Sequence, residues 1–156
     1  MLSTPHILTG AAIGAVAAPL GLPAVFCFAV ISHLALDILP HTDDLLLEVP
    51  FSEKYSANDI LSVILEIVSG IIIVSYFVFR SSVPLALAVG ALGGLTIDLI
   101  DNVPFWKGIR NLPIFKQLHQ FHEMFDGAVR TKWKIVGVAT QFIVIVISVI
   151  VLMQNS

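Results

Sequence analysis

Apolar residues fall into five runs separated by polar or proline-marked breaks, and each run is long enough for a helix. The first spans about residues 5–20. Pro5 suits a first helical turn and Thr4 stands where an N-cap belongs. Its small residues, among them Gly10, Ala11, Gly14 and Ala15, allow close helix packing. Pro19 to Pro23 then predicts a turn. The second run covers about 23–39, where Pro40 restricts Leu39 and ends the helix. The third covers about 58–79, with Asn58 as the expected N-cap, and the Arg80-Ser81-Ser82 turn follows. The fourth covers about 84–102, before Pro104. The fifth, about 135–153, is the clearest transmembrane signal. Runs three and five reach the ~20 residues a spanning helix needs and run four comes close, while one and two are short.

Two polar connections interrupt this pattern, 40–58 and 103–134. Within the second, Ile114, Phe115, Leu118, Phe121 and Phe125 recur at helical spacing opposite Lys116, Gln117 and Gln120. The spacing predicts a short amphipathic helix over about 112–125, lying in the membrane interface or capping the bundle, with Asp126-Gly127 as its stop. The expected fold is therefore all-α: one membrane domain, residues 1–156, of about five transmembrane helices plus one interfacial helix.

Composition sharpens this. Of 156 residues, 57% are apolar and only 12% charged, too few charges to cover a soluble domain of this size comfortably. Cys27 is the single cysteine, which excludes an intrachain disulfide and a thiolate metal cluster. The first residues lack the basic region of a secretory signal peptide, so the first run is expected to belong to the mature fold.

Five spans put 1–4, 40–58 and 103–134 on one side. That side carries seven of the eight basic residues, Lys54, Lys107, Arg110, Lys116, Arg130, Lys132 and Lys134, and the other carries Arg80 alone. The positive-inside rule then makes the charged side and the N-terminus cytoplasmic. A bacterial or archaeal plasma membrane is the expected location. Trp106 and Trp133 read as interfacial belt residues. Nucleic-acid binding has no support, because the basic residues follow topology and no reading motif is present.

The same topology brings the chemistry to one depth. His6 starts run one. His33, Asp37 and His41 lie at the end of run two, Asp98 and Asp101 at the end of run four, and His119 and His122 on the amphipathic helix. Glu66 lies two turns into run three. His33 and Asp37 are four apart, and Asp98/Asp101 and His119/His122 are three apart, so each pair shares a helical face. Two neighbouring carboxylates repel unless a cation or proton intervenes. Glu66 is costly in an apolar helix, by at least ~2.5 kcal/mol on insertion scales, and such groups tend to mark function.

Each feature has a plainer reading. A His/Asp pair at four residues is often an ordinary hydrogen bond. Asp101 could meet interfacial water, and His119 and His122 could be the wet face of their helix. Asp44, Glu48 and Glu53 suit a solvated loop, whereas Asp43 remains a candidate. The joint pattern of all five histidines beside carboxylates favours a shared metal site. Nitrogen and carboxylate donors without thiolate suit zinc first, with manganese or iron as alternatives, as one or two ions.

The blocks Thr4-Pro5-His6 and Ser32-His33-Leu34-Ala35-Leu36-Asp37-Ile38-Leu39-Pro40-His41-Thr42-Asp43 resemble those of small predicted membrane-bound metal-dependent hydrolases. So do the glycine-rich stretch from Gly90 to Asp101 and the late pair His119-Gln120-Phe121-His122. The chain lacks the His-Arg-Gly-x-Thr-His-Ser block of the better-known bacterial members. A more distant likeness is to zinc-dependent phospholipase C. The resemblance covers about residues 6–122. It implies metal ligation by His6, His33, Asp37, His41, Asp98 and the late histidines. With Asp101 added as ligand and Glu66 and Asp43 as catalytic groups, the expected activity is hydrolysis of a phosphoester on a lipid or other amphiphile. The expected site is the cytoplasmic interface. The competing classes are an ion or metal transporter and a membrane scaffold with a structural metal. A continuous polar route is not visible, since the far half carries no ionisable residue except Arg80.

Overall fold

The computed structural model describes residues 1–42, 57–102, 112–128 and 133–155. In chain order the helices are α1 (Ser3–Ala17), closed by a 3-10 turn (Ala18–Leu20), α2 (Leu22–Asp37), α3 (Ala57–Val78), α4 (Pro84–Asn102), α5 (Pro113–Glu123) and α6 (Lys134–Gln154). The described residues form no strand, only an isolated parallel bridge between His41 and Ala128. The regular structure of the described residues is all helical.

Among the described residues, three helical segments are long and apolar enough to cross a membrane: Ile60–Val78, Pro84–Asp101 and Lys134–Gln154. The 15 residues of α1 and 16 of α2 rise only about 22 and 24 Å, short of a ~30 Å hydrocarbon core. Position in the bundle makes sense of the short α1. It is the central helix, packed on α2, α3, α4 and α6, and residues from Thr4 to Gly14 are buried on nearly every face. A helix apolar all round belongs inside other helices. Ile7, Leu8 and Ala11 meet Val74 and Phe77 of α3, Leu87 and Leu95 of α4 and Leu152 of α6 in one core.

The tightest seam is α1 against α4. A Cβ on Gly10 would collide with the Gly90 carbonyl, and one on Gly90 with the Gly10 carbonyl, so the backbones touch directly. Away from these contacts α3 exposes Leu65, Ile71 and Ile72, and α6 exposes Phe142, Ile143 and Ile147. Apolar faces of this extent are compatible with a hydrocarbon surrounding.

The start of α1 differs from expectation. The helix begins at Ser3, and the Thr4 hydroxyl donates to the Glu66 carbonyl at 2.9 Å instead of capping its own helix. Neighbouring helices satisfy the first amides. Leu2 N–H donates to Gln141 Oε1 (2.9 Å) and Thr4 N–H to Glu66 Oε2 (3.3 Å). Gln141 of α6 also donates to the Thr42 carbonyl at 2.9 Å. Gly137 lies against the backbone of His41 and Thr42. The starts of α1 and α6 and the end of α2 therefore share one end of the bundle, where the polar residues gather.

Candidate metal centre

Four helices supply the cluster. His6 comes from the first turns of α1 and is 1% exposed. His33 and Asp37 come from the last turns of α2 and are equally enclosed, at 0% and 2%. Asp98 and Asp101, both buried, end α4. His119 and His122, half-buried, come from α5.

Asp37 is the hub. Its Oδ1 lies 3.1 Å from His6 Nε2, and its Oδ2 lies 3.1 Å from His33 Nε2 and 3.0 Å from His122 Nε2. The Met1 amino group is 2.9 Å from Oδ1. His33 Nε2 is also 3.7 Å from Asp98 Oδ1. The rings of His6 and His33 stack, with centroids 3.8 Å apart and planes 20° apart. Two three-residue groups bring donor atoms within reach of one cation, His6/His33/Asp98 and His33/Asp37/His122.

Second contacts aim these rings. His33 Nδ1 donates to the Gly94 carbonyl at 2.7 Å, and a carbonyl can only accept. The neutral ring therefore keeps its proton on Nδ1 and turns the Nε2 lone pair inward, the arrangement typical of a metal-ligating histidine. His122 Nδ1 meets Asp101 Oδ2 at 2.9 Å, while Asp101 Oδ1 takes His119 Nδ1 at 2.8 Å. Glu123 Oε1 lies 3.1 Å from His119 Nε2. Burial, the largest influence on His122, disfavours its charged form. The hydrogen bonds to Asp101 and Asp37, with the charges of Asp37 and Asp98, outweigh that and push its pKa up to about 10.

A fit to metal rests on the buried nitrogens. Both ring nitrogens of His6 and Nε2 of His33 have no hydrogen bond of acceptable geometry, although an Asp37 oxygen stands 3.1 Å from each Nε2. The separations suit hydrogen bonds but the directions do not. Ligands bonded at about 2.1 Å to one ion lie about 3.0–3.4 Å from each other, so these spacings match a coordination shell. Unmet buried polar groups otherwise cost about 1–3 kcal/mol each. Three imidazoles and two carboxylates suit zinc, manganese or iron.

Not every expected residue joins. His41 belongs to neither group. Its Nδ1 donates to the Leu39 carbonyl at 2.9 Å, and Nε2 faces Asp126 Oδ1 at 3.4 Å. Glu66 also lies outside both groups. It braces the first turn of α1 and is near enough to feel the Asp98 charge. Asp101 and His119 stand behind His122, in neither group. The plainer expectation that His119 and His122 are a wet helix face does not hold, since both turn inward onto Asp101. Asp43, Asp44, Glu48, Glu53, Lys54, Trp106, Lys107, Arg110, Arg130 and Lys132 lie outside the described residues.

Sequence reasoning did not single out Gly94, Ser3 or Gln141. Ser3 Oγ approaches Asp98 Oδ2 at 3.4 Å. Gln141 carried a legible signal, an amide in the middle of an apolar span, which is costly unless it has partners. Comparison with protein-family models, with curated proteins and with solved structures finds no match for this chain.

Proposed function

We propose that the protein is a membrane-embedded metal-dependent hydrolase, with five spans, that cleaves a phosphoester of a lipid or other amphiphile at the cytoplasmic interface. The observation that carries it is the cluster of buried His6, His33, Asp37 and Asp98 with half-buried His122, whose inward nitrogens lack hydrogen-bond partners of acceptable geometry or face one shared carboxylate.

His6, His33, Asp37, Asp98 and His122 would hold a divalent metal, which would supply Lewis acidity for water activation and for the charge on phosphorus. His33 is pre-oriented by Gly94, and His122 by Asp101, so little reorganisation accompanies binding. Glu66 is the group assigned to accept the water's proton. Its absence from both ligand groups favours this role over ligation.

The test is metal analysis of detergent-purified protein together with turnover of phospholipid and isoprenoid-phosphate substrates. Wild type is expected to hold metal and a His33→Ala, Asp37→Ala variant to lose it. Glu66→Gln should keep metal and lose turnover. Turnover preserved in both Glu66→Gln and His33→Ala rejects the mechanism. Bound metal with no hydrolysis across the panel favours a structural metal instead.

A further inference from the structure

Helix α5 has three faces. Phe115, His119 and His122 are half-buried toward the bundle, with the histidines on Asp101. Ile114, Leu118 and Phe121 form a second stripe that stays largely open among the described residues, being 62%, 46% and 49% exposed. Lys116, Gln117, Gln120 and Glu123 form the third, exposed face. With 3.6 residues per turn, the apolar stripe stands about 100° around the helix from the histidine face, and the polar residues occupy the remainder. One side meets protein, one is apolar and one is polar, which is the pattern of a helix lying along a membrane surface.

Depth points the same way. The histidines hold α5 against the end of α4, at the end of a segment apolar enough to span. At that same end the exposed Trp133 precedes α6 and the exposed Ile135 lies in its first turn, a residue pair suited to the boundary between headgroups and hydrocarbon.

We infer that the Ile114–Leu118–Phe121 stripe docks on the lipid leaflet, and that this docking holds His122 on Asp37. The occupant of the stripe is lipid, not a second copy of the chain. The leaflet contact stands on the geometry of α5 alone, while its link to metal affinity rests on the centre proposed above.

The experiment uses the full chain in nanodiscs with Cys27→Ser, since Cys27 is exposed. An environment-sensitive fluorophore is placed at Leu118→Cys or Gln120→Cys, and brominated phosphatidylcholine is the quencher. Quenching at 118 and none at 120 is the expected result. Equal quenching at both sites, or none at 118, overturns the docking, as does a cross-link between copies through Leu118→Cys. For the second half, Leu118→Glu keeps both histidines yet should weaken Zn²⁺ binding about tenfold in nanodiscs, the size of effect seen when a ligand loses its support. Unchanged Zn²⁺ affinity overturns the link to His122. Absence of Zn²⁺ binding in the wild type removes the metal reading and with it that link, and leaves the quenching result to decide the docking.

Discussion

The Nδ1–H of His33 donates to the carbonyl of Gly94 at 2.7 Å, and the missing side chain of Gly94 is also what lets the His6 backbone rest on α4. One residue thus orients one candidate ligand and admits another. A methyl group there would fall inside contact distance of the His6 carbonyl. Gly94→Ala is expected to destabilise by about 1–3 kcal/mol, as overpacking does, and to lower metal content. Thermal unfolding in detergent, paired with metal analysis, checks both. An unchanged melting temperature would show that the α1–α4 seam is looser than described.

Asp101 holds His119 with one oxygen and His122 with the other. It is outside both ligand groups, so Asp101→Asn should leave the fold standing but weaken metal binding about 10–100-fold, the usual effect of losing a support behind a ligating histidine. Equilibrium dialysis against a competing chelator measures this. A complete loss equal to that of His33→Ala would make Asp101 a ligand itself.

Gln141 is 4% exposed and joins α6 to both Leu2 and Thr42. Gln141→Leu preserves size and takes the side-chain partner from the part-buried Leu2 amide and the buried Thr42 carbonyl. The expected cost is about 1–3 kcal/mol for each group. A chemical denaturation midpoint that does not move would mean water replaces the side chain.

With five spans, a reporter fused after Gln154 should lie on the side opposite the N-terminus, and one fused in the 103–111 segment on the same side as the N-terminus. The seven-to-one division of Lys and Arg motivates this expectation. A C-terminal reporter on the N-terminal side contradicts it, because α1 and α2 are the helices whose length leaves a crossing open.

The helices themselves were legible along the chain. The bounds of α4 match the apolar run from Pro84 to Asn102, because prolines stop helices through local sterics. The His33/Asp37 and His119/His122 pairs were legible too, because helical periodicity alone puts such residues on one face. Which faces meet was not. Nothing in the spacing of His41 distinguishes it from His6, yet one turns to Asp126 and the other stacks on His33. The central place of α1 was equally hidden. Its small residues announce close packing without naming α4 as the partner, since a glycine records that something approaches and not what does. The histidine and acid residues set what chemistry this protein can hold. Packing of α1, α2, α4 and α5 decided which of those groups share a cluster, because contacts between residues far apart in sequence depend on the whole arrangement of helices and on no local pattern.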